Sequence, residues 1–319
     1  MQFIKNGPEV PERLLDLHEA GQVVFFCGAG ISLKAGLPTF SGLVNALYEA
    51  HAPQPSSEQR SAIKSSALDR AVGLLEAKSS AVKVQVRQSI EAELTVTKPA
   101  PSQLSTHRAL LDLSQTRAGK TQLVTTNFDR LFHASAAAQG TGLKCFAAPL
   151  LPVPKQNLDG LVFLHGLLPE SAGDLRALES LVVSSGDFGL AYLTERWAAR
   201  FVSELFRNYS VCFVGYSLND PVLRYMMDAL AADKARGEAV REMFAFASFK
   251  KGRANEVESE WKSKYATPIL YKEFRRHHYL HKTLEVWART YRDGVTGKSR
   301  VESPRESRRL ICLSQAAIA

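Results

Sequence analysis

The sequence predicts an α/β fold: a Rossmann-like parallel sheet with helices on both faces and a helical insertion. Apolar runs of strand length alternate with amphipathic stretches of helical length, which is typical of parallel sheets. The runs are apolar at consecutive positions, as in strands that are covered on both faces. Four of them end in small or polar residues. These ends should lie together at the carboxyl edge of the sheet, where open α/β sheets bind ligands.

The composition is typical of a globular protein with a large core. The chain has 319 residues, 45% of them hydrophobic, and no apolar run approaches the ~20 residues of a membrane span. Residues 1–11 carry charges and lack the apolar core of a signal peptide. The four cysteines (Cys27, Cys145, Cys212 and Cys312) are far apart and form no C-x-x-C pair. The sequence therefore predicts no metal site and a reducing, cytoplasmic location.

The first predicted helix covers residues 11–20, and the first strand (residues 23–27, VVFFC) leads into a turn of sequence GAGIS. Glycines at this place let the backbone turn sharply and let a nucleotide phosphate approach N–H groups. The turn departs from the G-x-G-x-x-G fingerprint, because Leu33 occupies the third glycine position and no acidic residue ends a second strand about 20 residues on. The turn is either a nucleotide-binding loop of another kind or a plain strand-to-helix turn.

The middle of the chain repeats the pattern of an apolar run with a polar end. The strand that begins at residue 121 ends in TNFD (126–129), the strand 161–164 ends in HG, and the strand 211–214 ends in GYS (215–217). We expect the polar ends to gather along one sheet edge. For single residues the alternatives are an Asn or Asp helix cap and a structural histidine. The residues expected at this edge are Gly28, Ser32, Asn127, Asp129, His165 and Ser217.

Helices and two late strands complete the prediction. Helices are expected over 42–51, 58–94 (broken near residues 79–80), 105–113, 190–208, from 219 to 230 and over 280–291, with strands over 243–249 and 268–271. Residues 53–100 show no strand signal and are predicted to be a helical insertion. We expect one domain over 1–293 and a loose basic tail over 294–319.

The positive charge is concentrated near the C-terminus. The net charge is +8, and residues 272–309 contain eleven Lys or Arg against five Asp or Glu. This basic segment is predicted to be a solvated helix and a tail, with contact to a polyanion or a partner protein as the alternative.

The ordered set of motifs resembles that of sirtuins. The GAGIS turn, followed by Gly36, Pro38 and Phe40, resembles their nucleotide-binding loop, and TNFD, HG and GYS look like their later motifs. The forms VGYSLNDP (214–221) and TTNFD (125–129) are closer to bacterial sirtuin-like domains that hydrolyse NAD in anti-phage defence than to protein deacetylases. Two features depart from deacetylases: residues 166–210 contain no cysteine for the usual zinc module, and Ser41 replaces an arginine.

The resemblance implies an NAD+ hydrolase that yields ADP-ribose and nicotinamide, with NAD+ as substrate and no zinc. Asn127 would orient the ribose and the attacking water, Asp129 would support it, and His165 would act as general base. An imidazole with an ordinary pKa of about 6.5 suits that role at neutral pH. Backbone groups of the GAG turn would hold the pyrophosphate. The implied cofactor-binding residues are Gly28, Ala29, Gly30, Ser32, Pro38, Phe40, Gly215 and Ser217.

Unregulated hydrolysis of NAD+ would harm the host, so we expect an activity gate. The gate would be a homo-oligomer or a partner defence protein, acting through the insertion 53–100 or the basic segment 272–309. No contact with a membrane is expected, and nucleic acid would bind only through the basic segment. The alternatives are an NAD+ or ADP-ribose sensor without turnover and an NAD-dependent protein deacylase.

Overall fold

The computed structural model describes residues 1–155, 157–216, 226–227 and 241–294. It contains a seven-stranded sheet of order β3-β4-β2-β1-β5-β6-β7, in which every pairing is parallel. The predicted α/β fold with a Rossmann-like parallel sheet is therefore confirmed. The strands are β1 (Val23–Cys27), β2 (Gln122–Thr125), β3 (Cys145–Ala147), β4 (Gly160–Phe163), β5 (Ser210–Val214), β6 (Met243–Phe249) and β7 (Ala266–Lys272).

Helices pack on both faces of the sheet. A 3₁₀ helix (Ala29–Ala35) follows β1, and a π-helix (Gly189–Thr194) precedes α10. In the described part of the chain the α-helices are α1 (Glu12–Glu19), α2 (Phe40–His51), α3 (Ser57–Lys64), α4 (Leu68–Glu76), α5 (Ser80–Leu94), α6 (Ser105–Ser114), α7 (Leu131–Gln139), α8 (Leu175–Glu179), α9 (Ser185–Phe188), α10 (Trp197–Asn208), α11 (Ala254–Ser263) and α12 (His278–Arg292).

The central strand β1 connects the two sides of the core. Successive side chains of a strand point to opposite faces. Phe25 accordingly packs against Trp287 of α12, with ring centroids 5.6 Å apart, on the face that α1 and α6 also cover. Phe26 packs on the other face against Phe213, at 5.5 Å, in the cluster that includes α10. All five residues of β1 are buried, as its unbroken apolar sequence predicts.

The insertion consists of three helices, α3 to α5, which share a third apolar cluster with α2. The predicted break near residues 79–80 is present, and Ser79 caps α5 by accepting the N–H of Val82. A second break, which the sequence reading missed, separates α3 from α4, and Ser66 there has a left-handed φ of 57°. The insertion packs against two helices that border the carboxyl edge of the sheet. Its helices α4 and α5 both contact α2, and α4 also contacts α9.

Other predicted elements differ in detail. The helix expected over 190–208 is divided into the π-helix and α10, and the left-handed residue Arg196 (φ 60°) lies between them. The short edge strand β3 and the helix α11 were missed. The helix predicted from 219 to 230, Ser217 and the tail from 295 lie outside the described residues. Within the described ranges, no helix has both the length and the apolar character needed to cross a membrane.

Candidate active site

A cleft opens at the carboxyl ends of β1, β2 and β4. Its volume is about 630 Å³, including the part that is open to solvent. Pockets for small molecules and cofactors commonly have volumes of roughly 300–1,000 Å³. The predicted site residues that line the cleft are Ala29, Ser32, Pro38, Phe40, Asn127, Asp129 and His165. Side chains from three strand ends that are far apart in sequence therefore meet in one place.

Ser32 is the centre of a buried polar cluster at the base of this cleft. Its Oγ donates a hydrogen bond to Oδ2 of Asp129 (2.9 Å) and accepts one from Nδ2 of Asn127 (3.1 Å). Oδ1 of Asp129 accepts the backbone N–H of Leu131 at 3.0 Å, so both carboxylate oxygens are held. Nδ2 of Asn127 donates to Ser32, and this bond orients the amide, whose oxygen Oδ1 can accept a hydrogen bond from a ligand or a water.

A histidine that the sequence reading missed completes the cluster. Nε2 of His107, on α6, lies 3.3 Å from Oγ of Ser32. Burial, together with the nearby His281, lowers the pKa of His107 to about 3, so its imidazole is uncharged at neutral pH. Burial raises the pKa of Asp129, against the opposing effect of its hydrogen bonds. No local signal marks His107, because a single histidine on an amphipathic helix is usually a core residue.

His165 follows β4, and Gly166 then turns the chain with a left-handed φ of 100°. Nε2 of His165 is 2.9 Å from the hydroxyl of Tyr192, and the ring of Phe188 packs against the imidazole edge-on at 5.2 Å. Burial lowers the pKa of His165 to about 3. The expectation of an ordinary pKa of about 6.5 is therefore wrong, because these neighbours remove water that would stabilise the imidazolium.

The TNFD motif is fixed to β1 by hydrogen bonds around Thr125. Its Oγ1 donates to the carbonyl of Cys27 (3.0 Å) and accepts the N–H of Asn127 (3.1 Å). The next residue, Thr126, has its Oγ1 2.6 Å from the hydroxyl of Tyr216, which follows β5. The start of the motif is thus bonded to the end of β1 and to the residue after the turn that follows β5, and these bonds help to set the position of Asn127 in the cleft.

Apolar side chains form the remaining wall of the cleft. Phe40 and Leu43 come from α2, and Leu94 comes from the last turn of α5 in the insertion. Val182 and Phe188 come from the segment between Gly166 and the π-helix. An apolar wall excludes water and strengthens the polar interactions inside. Among the described residues, no group of three or more His, Cys, Asp or Glu side chains could hold a metal ion.

The amides of the two glycines in the turn after β1 are hydrogen-bonded within the protein. The N–H groups of Gly28 and Gly30 donate to the carbonyls of Val214 and Gly215, both at 2.9 Å. These two amides are therefore engaged with the turn after β5, and Ala29 is the residue of the GAG turn that lines the cleft. A Cβ on Gly30 would lie 2.8 Å from both Cα and the carbonyl oxygen of Gly215. Because these glycines have no side chain, the turn after β5 can lie close to the turn after β1.

We expect Gly30→Ala to lower the free energy of unfolding by about 1–3 kcal/mol, the usual effect of overpacking. Backbone atoms of Gly215 surround the added methyl group, so no flexible side chain can move aside. Thermal unfolding measures the change. Gly142→Ala is the matched control, because nothing lies within 4 Å of a Cβ there. Equal stability of the two variants would contradict the contact between the β1 and β5 turns.

The parallel sheet, the glycine turn after its first strand and the cleft at its carboxyl edge define an α/β protein with a Rossmann-like fold and a candidate ligand site. Residues 121–269 match the family model of the SIR2-like domain. The chain therefore contains a sirtuin-like domain, as its motifs predict. SIR2-like domains use NAD+, and the match supports an NAD-related function.

The chain is also similar to a much longer protein. The uncharacterized protein y4cA of Sinorhizobium fredii (strain NBRC 101917 / NGR234) is 33% identical over 277 residues, which is 85% of this chain. The chain spans 23% of the length of that relative. Its name carries no information on substrate or partner, so the finer functional assignment rests on the cleft.

Proposed function

We propose that this chain is an NAD+ glycohydrolase, which cleaves the nicotinamide–ribose bond and releases ADP-ribose and nicotinamide. The observation that carries the proposal is the meeting of Asn127, Asp129 and His165 in one partly apolar cleft of a SIR2-like fold. An amide oxygen, a carboxyl group and an uncharged imidazole are suited to orienting a ribose and a water. NAD+ is the substrate, and the reaction needs no further cofactor.

In the proposed reaction, water adds to C1′ of the nicotinamide ribose, and the bond from C1′ to the nicotinamide nitrogen breaks. Nicotinamide leaves with the electron pair and becomes neutral, while one water proton is released to solvent. Positive charge grows on the ribose before the water has fully bonded. The site must therefore hold the ribose and the water together without placing a cation beside them.

The polar cluster can meet these requirements. Oδ1 of Asn127 is available to accept a hydrogen bond from the attacking water, and Ser32 holds the amide in that orientation. Asp129 holds Ser32 in turn. His165 is uncharged at neutral pH because burial lowers its pKa. An uncharged imidazole does not repel the ribose while positive charge grows there. Its low pKa makes it a weak base, but the attacking water becomes strongly acidic as it bonds to C1′, so a weak base is sufficient to take the proton.

The segment after His165 supports hydrolysis over deacylation of a protein. In deacetylating sirtuins a zinc module usually helps to form the acyl-lysine cleft, and residues 166–210 here contain no cysteine. Instead, Val182 donates its N–H to the carbonyl of His165 (2.9 Å), and Phe188 packs on the imidazole. The apolar wall lies directly against the catalytic side chain, and water is then the acceptor of the ribosyl group.

We further propose that the activity serves bacterial anti-phage defence by depleting NAD+, and that assembly gates it. The insertion is the candidate gating surface, because its helix α5 contributes Leu94 to the cleft. A homo-oligomer or a partner defence protein that contacts the insertion would then act on the cleft through α5.

The test is to incubate the purified chain with NAD+ at rising protein concentration and to quantify nicotinamide and ADP-ribose together. We expect equimolar products and a specific activity that rises with concentration. Binding of NAD+ without product under every assembly condition would favour a sensor. Release only in the presence of an acylated peptide would favour a deacylase. Full turnover by a dilute monomer would contradict the gate and leave the hydrolase assignment intact.

A further inference from the structure

The imidazole of His165 has a partner from outside the sirtuin-like motifs. Tyr192 lies in the π-helix, and its hydroxyl is 2.9 Å from Nε2 of His165. π-Helical turns are rare and occur frequently at functional sites. Tyr192 itself is not among the residues that line the cleft, whereas His165 is. Nε2 of a cleft-lining histidine is therefore bonded to a residue that does not line the cleft.

The π-helix is firmly attached at its N-terminal side. It follows α9 without a gap, and α9 begins with a capping box between Ser184 and Asp187. The same Asp187 pairs with the buried guanidinium of Arg87 from the insertion. Phe188, the next residue, packs both on the ring of His165 (5.2 Å) and on that of Tyr192 (5.9 Å). These contacts hold the tyrosine ring against the imidazole.

The contact between Tyr192 and Nε2 constrains which nitrogen of the uncharged imidazole carries the proton. One ring nitrogen carries a proton and donates, and the other accepts. The partner of one nitrogen thus decides the state of the other. Nε2 is engaged with Tyr192, which leaves Nδ1 for the cleft. Nδ1 can accept a proton there only in the tautomer in which Nε2 carries the hydrogen and donates it to the tyrosine oxygen.

We propose that Tyr192 is a positioning residue that accepts a hydrogen bond from Nε2–H of His165 and thereby makes Nδ1 the proton acceptor in the cleft. The catalytic part of this inference rests on the proposed glycohydrolase function. The direction of the hydrogen bond rests on it as well, because a distance of 2.9 Å between Nε2 and the tyrosine oxygen fits either tautomer, and only the Nε2–H form leaves a base in the cleft. The opposite arrangement, in which the tyrosine donates to Nε2, leaves Nδ1 protonated and removes the base from the cleft.

The test combines NMR of the histidine ring nitrogens with kinetics on Tyr192→Phe. In the full chain labelled with ring-¹⁵N histidine, His165 is expected to be the Nε2–H tautomer at neutral pH, with its signal assigned by a His165→Gln variant. Tyr192→Phe keeps the aromatic ring and removes only the hydroxyl. We expect a mixture of tautomers in that variant, kcat lower by about 3- to 10-fold, the size of one hydrogen bond, and KM within about twofold.

Tyr209→Phe is the matched control, because that hydroxyl bonds Lys155 O (2.8 Å) and Leu158 N (2.9 Å) and does not contact His165. The control should keep both kcat and the His165 tautomer. An Nδ1–H tautomer in the unmodified protein, or an unchanged or higher kcat in Tyr192→Phe, would overturn the inference. If Tyr192→Phe changes the His165 tautomer but neither the unmodified chain nor any variant releases nicotinamide, the glycohydrolase proposal is overturned. The effect of Tyr192 on the tautomer is then supported.

Discussion

His165→Ala is expected to lower the rate of nicotinamide release from NAD+ by about 10²–10⁴-fold, the usual contribution of a positioned acid or base. The side chain is buried and uncharged, and it lies in the cleft with Asn127. Asn127→Ala is expected to cause a loss in the same range, because it removes the amide oxygen proposed to orient the water. Single-turnover assays with quantified nicotinamide separate this loss from slow product release.

Two controls make this prediction specific. His18→Ala removes another buried histidine, whose Nε2 bonds the carbonyl of Leu113 (2.7 Å) on the α1 side of the sheet. This variant should lose stability but keep its rate per folded molecule. NAD+ binding by His165→Ala, measured by calorimetry, should stay within a few-fold. A rate near that of the unmodified chain for His165→Ala would refute its catalytic role.

Arg87→Met is expected to have the largest effect on stability, a loss of about 3–5 kcal/mol in the free energy of unfolding. Arg87 is 1% exposed, and its guanidinium binds Glu76 twice, at 2.6 and 3.1 Å. It also donates to the carbonyl of Leu181 (2.6 Å) and to the carboxylate of Asp187. The substitution leaves two carboxylates and a carbonyl in a buried site without their cation. Urea unfolding measures the loss.

Arg70→Met provides the comparison within the same insertion. Arg70 pairs with Glu58 at 2.7 Å, but their side chains are 59% and 58% exposed. A solvent-exposed pair contributes about 0–1 kcal/mol, so this variant should be nearly as stable as the unmodified chain. Similar losses for the two variants would mean that Arg87 does not hold the structure through its buried partners. Asp187→Asn, which keeps the shape of the side chain, should fall between them.

The sequence predicted the architecture and the cleft because both are encoded over short distances along the chain. Consecutive apolar residues identified the strands, and each polar cluster immediately follows the strand that positions it. Asn127, Asp129 and His165 could thus be placed at one sheet edge before any contact was known. The edge strand β3 was missed because it has three residues, all only partly buried.

Contacts between distant segments could not be read in this way. His107 meets Ser32 across 75 positions, and Arg87 meets Asp187 across 100. The pKa of His165 depends on its burial beneath Phe188 and Tyr192, which no local pattern reveals. The glycines of the first turn show the same limit. The glycine sequence indicates that another group lies close to the backbone of this turn. It does not indicate that this group is the turn after β5.

The middle and the C-terminal end of helix α5 make two different contacts. Its last residue, Leu94, lines the cleft, and Arg87, two turns earlier, anchors the segment that carries Phe188. Under the proposed gate, a molecule that favours one position of α5 would change the affinity of the cleft for its ligand. Thermodynamic reciprocity then requires the ligand to change the affinity of that molecule by the same factor. Under this proposal, the concentration of NAD+ would change the affinity with which a partner binds the insertion.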